Sequence, residues 1–184
     1  MRVVDTETTQ LEADQAHICE MAVGKWRGGF WRTESELFDV KGGIPPQASA
    51  RNCISNAMVR GQPTWEQSLD VVRNWMCVGN LFVAHNAEYD RQVLFYSAAR
   101  ANDLELAELF SDPHKWLCTW RMSQRIYQHT YKDQLYGQNY LRYKLDLDVP
   151  ADVGVHRAGA DVQVCGKLLE RLMVDALEQG MLDI

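Results

Sequence analysis

Residues Met1 to Asp5 open the chain with a short apolar run that predicts a buried strand. Two longer β-prone segments follow, His17 to Trp26 and Phe30 to Val40, and the adjacent Gly28 and Gly29 between them predict a tight turn. Lys41 to Gln47 (KGGIPPQ) predicts a loop, because neighbouring glycines and prolines disfavour helix and strand alike. Beyond it the apolar period lengthens from two towards about 3.6 residues. Ser55 predicts the cap of a short turn ending near Gly61. Thr64 has Gln67 three residues on, the spacing of a capping box, and Trp65, Leu69, Val72 and Met76 share one face behind it.

Asn80 to Ala84 (NLFVA) predicts another buried strand, followed by a helix over Glu88 to Arg100 that carries Val93, Leu94 and Tyr96. Trp116 to Cys118 predicts a last short strand. Thr119 then caps a helix through Tyr127, and Asn139 to Lys144 reads as a further helical stretch. The final helix carries the apolar stripe Val162, Cys165, Leu169, Leu172 and Ala176, three and four residues apart, and Gly180 closes it. Strands first, then strands alternating with helices, predict an α/β fold with a mixed central β-sheet flanked by helices.

Composition narrows this picture. The 184 residues fit one domain, 1–184, and 46% apolar with 24% charged residues is ordinary for a folded soluble chain. No apolar run approaches ~18 residues, and MRVVDTET meets acids too early for a secretory signal, so no membrane and a cytoplasmic setting are expected. The five cysteines form no CxxC pair, which predicts reduced thiols in the core and no structural zinc. The net charge of −6 argues against gripping nucleic acid by bulk electrostatics. It leaves open an enzyme whose carboxylates bind cations and so reverse the local sign.

Candidate chemistry lies in three segments. Asp5 and Glu7, two apart on a strand, project from one face, and two carboxylates there repel unless a cation intervenes. Alone, D-x-E fits a solvated acidic loop as well. Asp90, in HNAEYD (His85 to Asp90), follows directly on an apolar strand and lies at the mouth of the next helix, where sites form in α/β folds. His156 and Asp161, in VHRAGADV, stand at the start of the last helix, five residues apart.

Taken together, D-x-E, N-x-x-x-D and H-x(4)-D in this order resemble the DEDD superfamily of 3′→5′ exonucleases, in the subgroup whose last motif carries histidine. DTETT (Asp5 to Thr9), AHNAEYDRQVL (Ala84 to Leu94) and HRAGAD (His156 to Asp161) are similar to that family's three motifs. The likeness extends through IPPQA, AMV and LCTWRMSQRIY, and is nearest to exonuclease X-like and proofreading-subunit-like DNA exonucleases. It implies a ribonuclease H-like fold and a pair of Mg²⁺ or Mn²⁺ ions held by Asp5, Glu7, Asp161 and Asp90. His156 is implied as the general base, since imidazole's reference pKa of ~6.5 lies near working pH.

The resemblance also implies substrate contacts at Thr8, Leu11, His85, Asn86 and Arg157, with Leu11 wedged against the terminal base or sugar. Arg91 and the Arg121/Arg125 pair are further candidates for phosphate. Tyr127, Tyr131, Tyr136, Tyr140 and Tyr143 offer stacking faces, although their spacing of three to five fits a helical packing face better. The expected partner is the 3′ end of DNA, single-stranded, with RNA as the alternative and a polymerase or repair protein as a possible associate. A module that kept this fold but lost activity would be expected to lack one of the five site residues. The chain ends soon after its last helix, which predicts a distributive mode or reliance on a partner.

Two positions depart from the family pattern. Gln10 stands where glycine is common after D-x-E-T-T, and Asn52-Cys53-Ile54 stands where a histidine is frequent. Both bear on substrate handling and leave the acids untouched.

Overall fold

A computed structural model of the chain describes residues 1–77, 81–128, 130, 135–149 and 156–182. Its strands are β1 (Arg2–Thr8), β2 (Ile18–Arg27), β3 (Phe30–Leu37), β4 (Phe82–Ala84) and β5 (Trp116–Cys118). They form one mixed sheet in the order β3-β2-β1-β4-β5. β1, β2 and β3 pair antiparallel, whereas β1–β4 and β4–β5 pair parallel. Gly28 and Gly29 close the β2–β3 hairpin with φ of 63° and 87°, a conformation that glycine adopts without steric cost.

The helices are α1 (Pro46–Asn52), α2 (Asn56–Val59), α3 (Leu69–Met76), α4 (Ala87–Arg100), α5 (Leu104–Ser111), α6 (Thr119–Ile126), α7 (Gln138–Lys144) and α8 (Ala158–Glu178). One face of the sheet, with Val4, Met21, Val23 and Phe82, packs on Val72, Trp75, Met76, Val93, Leu94 and Phe110 from α3, α4 and α5. On the other face Val3, Ala22 and Val83 meet Ala158, Val162, Cys165 and Leu169 of α8. A third cluster joins Ile126, Tyr127, Tyr136 and Leu141 to the far side of α8. The α/β architecture expected from the pattern is therefore present, with helices on both faces.

Several boundaries moved. The loop expected over Lys41 to Gln47 gives way to α1 at Pro46, because proline at a helix's first turn loses no needed N–H and arrives with a helical φ. β3 stops at Leu37 rather than Val40. The capping box formed: Thr64 N donates to Gln67 Oε1 at 2.8 Å and Gln67 N to Thr64 Oγ1 at 3.4 Å. α3 itself starts later, at Leu69, after a short 3₁₀ turn. α5 was not anticipated; Asp103 caps it by accepting from Leu106 N at 3.2 Å. All five cysteines are free, but Cys53 and Cys77 are exposed, which corrects the expectation of core thiols throughout. Tyr127 and Tyr136 are buried packing residues, Tyr143 is exposed, and Tyr131 lies outside the described residues, as does Asn80.

α8 sits unusually close to the sheet. A β-carbon added at Gly24 would lie 2.6 Å from Val162 Cγ1, and one at Gly166 would lie 2.7 Å from three atoms of the Trp31 ring. Trp31 is also held by its indole N–H, which donates to Glu170 Oε1 at 2.6 Å, so the ring has little freedom to yield. Gly166→Ala would gain ~1 kcal/mol in helix propensity. Overpacking against a fixed ring costs about 1–3 kcal/mol and exceeds that gain where the clash is this short. The expected outcome is a lower urea midpoint for Gly166→Ala at unchanged m-value; an unchanged or higher midpoint would show that the close approach is not structural.

Candidate active site

Parallel pairing of β1 with β4 puts the C-terminal ends of both strands at the same edge, where α/β folds build sites. β1 supplies Asp5 and Glu7. Both lie on the face of Val3, which packs against α8, so they point towards that helix's first turn and Asp161. One carboxylate oxygen from each of Asp5, Glu7 and Asp161 lies within 4.8 Å of the other two, a donor set with room for a metal ion.

Asp90 reaches the same place from the opposite side. β4 pairs with β1 only through Arg2 and Val3, which leaves the following backbone of β1 without a strand partner on that side. Asp90 Oδ1 takes up this role, accepting from Thr6 N at 3.0 Å and from Thr6 Oγ1 at 2.8 Å. Asp90 is 4% exposed, so these two bonds fix its position in the first turn of α4.

Around these acids lies a cleft of about 760 Å³ that also takes in Thr8, Leu11, His85, Asn86 and His156. His156 is exposed, with φ of 59°, immediately before α8. Asn86 takes a left-handed φ of 71° at the start of α4, a region that asparagine tolerates better than most residues. Burial lowers the His85 imidazole to about 4, so it is neutral at physiological pH, with Nδ1 3.0 Å from Thr119 Oγ1. The hydroxyls of Thr8 and Tyr89 lie 2.6 Å apart, and both lie within 2.9 Å of the Gln10 carbonyl oxygen. That clasp fixes the backbone just before Leu11, which is 65% exposed at the cleft. It uses the backbone of residue 10, which explains how glutamine is accommodated where glycine is common.

Not every candidate substrate contact lines the cleft. Arg157 does not line the cleft. Its Nε and a terminal nitrogen donate to the two Glu20 oxygens at 2.9 and 2.8 Å. Arg91 is likewise engaged, by both Glu88 oxygens and the carbonyls of Phe110 and Ser111. Arg121 and Arg125 are exposed and away from the cleft lining.

Besides Thr6 and Tyr89, two residues that position Asp161 were missed. Glu20, buried on β2 and paired across the sheet with Glu7, accepts the Ala158 N–H at 3.0 Å as well as Arg157. It therefore anchors the start of α8, and with it Asp161. An acid within the apolar run ICEMAV was the available signal. Gln138, opening α7, donates to Asp161 O at 2.8 Å and to Asp161 Oδ1 at 3.2 Å; nothing in the local sequence pointed to it.

The charges strain against one another. Burial, followed by Asp90 and Asp161, raises the Asp5 carboxyl well above its ordinary value. Burial and then Asp161 push Glu7 up to about 8. Asp90 rises to about 7 through burial, against the opposing Thr6 bonds. Asp161 rises to about 6, again through burial, with the His156 charge pulling it down. A half-buried group of carboxylates that resists ionising together is a favourable place for a cation of charge +2. The residues present thus fit a divalent metal.

A mixed sheet flanked by helices, with acids from three distant segments at one strand-end cleft, defines a nuclease-type hydrolase of ribonuclease H-like fold. Residues 3–169 match the profile of the exonuclease family (RNase_T), and the chain belongs to that family, within the DEDD 3′→5′ exonuclease superfamily. It is 29% identical over 173 residues to exodeoxyribonuclease 10 of Escherichia coli K12, covering 94% of this chain and 68% of that protein. It is 28% identical over 178 residues to a PolC-type DNA polymerase III of Latilactobacillus sakei, of which the match spans 11%. Among solved structures, exonuclease X in complex with 5′ overhanging duplex DNA aligns with a TM-score of 0.70 at 28% identity, over 94% of this chain and 90% of that one. Among the described residues no helix is long and apolar enough to cross a membrane.

Two outcomes follow from the site's electrostatics. Glu7, Asp90 and Asp161 have folded-state pKa values of about 8, 7 and 6, above those of an unfolded chain. Their contribution favours the fold at low pH and is lost as pH rises through those values. In EDTA, Asp5→Asn should therefore raise the melting temperature near pH 8, on the order of 1–3 kcal/mol in stability, with the gain shrinking towards pH 5. A less stable Asn variant at pH 8 would refute the repulsion. Arg157→Ala, which strands a buried Glu20, should cost about 2–4 kcal/mol in chemical denaturation. Unchanged stability would return Arg157 to the list of substrate contacts.

Proposed function

We propose that residues 1–184 act as one exonuclease domain that hydrolyses DNA from the 3′ end and releases nucleoside 5′-monophosphates. The observation that carries this reading is the convergence of Asp5, Glu7 and Asp161 oxygens within 4.8 Å in the cleft. DNA is favoured over RNA because an exodeoxyribonuclease and an exonuclease bound to duplex DNA are among the relatives, at 29% and 28% identity. The PolC-type relative makes a polymerase a candidate associate.

Asp5, Glu7 and Asp161, with Asp90 beside them, would hold two Mg²⁺ or Mn²⁺ ions, which suit oxygen donors and supply Lewis-acid stabilisation to the phosphate and its leaving oxygen. The remaining work belongs to the chain. His156, at the exposed rim beside Asp161, takes the proton of the attacking water on its imidazole. Gln138 fixes the Asp161 carboxylate, and Thr6 fixes that of Asp90. Leu11 packs on the terminal nucleotide from a loop held rigid by Thr8 and Tyr89. Asn86 and neutral His85 add polar contacts without adding charge.

The test is cleavage of 3′- and 5′-labelled DNA and RNA, single- and double-stranded, with Mg²⁺ or with EDTA. Stepwise loss from the 3′ end of DNA is expected, abolished by EDTA. Asp5→Asn should lower it by several orders of magnitude while the protein stays folded. Faster degradation of RNA would replace DNA as the substrate, and robust cleavage in EDTA would remove the mechanism.

A further inference from the structure

The cleft is lined by five carboxylates, Asp5, Glu7, Glu12, Asp90 and Asp161, and by a single arginine or lysine among the described residues, Arg51. A polyanionic substrate entering such a cleft meets repulsion at close range wherever bound cations do not cancel it. Arg51 lies in the last turn of α1 and lines the cleft with the acids. Its guanidinium is exposed, and its charge is felt at both Glu7 and Tyr89 across the cleft. Arg157 and Arg91, by contrast, have their donors committed to Glu20 and Glu88.

The position of Arg51 is set by its neighbour. Asn52 is 1% exposed, donates to the Thr8 carbonyl at 3.4 Å and accepts from Ile54 N at 3.0 Å. The first of these bonds ties the end of α1 to the end of β1, the strand that carries Asp5 and Glu7. A cation in a helix's last turn also interacts favourably with the helix dipole. In a seven-residue helix that effect is small, and it does not require the side chain to face the cleft.

We propose that Arg51 is a substrate-contact residue that binds a phosphate of the 3′-terminal nucleotides through its free guanidinium. The planar fork of donors matches phosphate oxygens, and a charge-assisted bond of this kind is about twice as strong as a neutral one. This proposal rests on the exonuclease reading, and its test includes an arm that needs no turnover.

Arg51→Ala and Arg51→Lys would be compared with wild type for mononucleotide release from single-stranded DNA across a salt series. Binding of a nucleoside 5′-monophosphate and of the uncharged nucleoside would be measured by calorimetry in Mg²⁺. Arg51→Ala should raise KM about 10–100-fold at low salt, with a smaller effect on kcat. It should also make the salt dependence shallower by about 0.7 in log–log slope, the loss of one ion pair to a single strand. Its preference for the monophosphate over the nucleoside should fall. Arg51→Lys should keep the salt slope and recover part of the KM. Melting temperatures should be unchanged, since the side chain is exposed. An unaltered slope and an unaltered monophosphate preference in Arg51→Ala would overturn the proposal, as would equal weakening of both ligands. Absence of any mononucleotide release by wild type would overturn the exonuclease reading, while the calorimetric arm would still decide on Arg51.

Discussion

Like-charge repulsion among half-buried carboxylates is the constraint to which the rest of this structure answers. Asp5, Glu7 and Asp161 hold their oxygens within 4.8 Å, and Asp90 adds a fourth acid at the same strand ends. Left to relax, such groups would swing towards water and away from each other. The fold prevents this from two sides. β1 fixes Asp5 and Glu7 by its central place in the sheet, paired with β2 over its length. α8 fixes Asp161 by burying Val162, Cys165, Leu169 and Leu172, of which Leu169 and Leu172 each contribute about 1.5–3 kcal/mol.

The polar framework around the acids is organised to the same end. Glu20 is buried but paired, and its partners are the Arg157 guanidinium and the first N–H of α8. It ties β2 to the helix start without entering the cleft. Thr6 does the equivalent for Asp90, using a backbone N–H left free where β4 stops pairing. Gln138 does so for Asp161. Asp90 and Asp161 are thus each held by a hydrogen bond from a neighbouring segment. Fixing the ligands before a cation arrives reduces the ordering cost of binding, the general advantage of preorganisation.

Much of this was legible in the chain. The spacing of Asp5 and Glu7 after an apolar strand, and of Asp161 in the first turn of an apolar helix, follows from the periods of two and about 3.6 residues. What stayed hidden was long-range. Gln138 touches Asp161 across 23 positions of chain and carries no local mark of that contact. Arg157 and Arg51 look alike as isolated basic residues; only the fold shows one clamped to Glu20 and the other facing the cleft. α5 escaped notice because Leu104, Leu106 and Leu109 with Glu105 and Glu108 alternate partly with period two, and the Asp103 cap reveals the helix only once it is formed. α1 escaped notice because two prolines read as a break, although Pro46 occupies the one turn that tolerates it.

A net charge of −6 now has a local explanation. Five of the acids line one cleft, where a bound divalent cation would convert their excess into an attraction for phosphate. The same acids make the cleft hostile to nucleic acid wherever cations are lacking, so substrate affinity and cation occupancy are coupled through one set of side chains. A guanidinium is different in kind, because Arg51 keeps its charge whatever the occupancy of the acids. Its charge weakly opposes the rise in the Glu7 pKa, which burial and the neighbouring acids still carry to about 8. The one arginine or lysine that lines the cleft among the described residues therefore offers phosphate a charge that does not depend on cation occupancy.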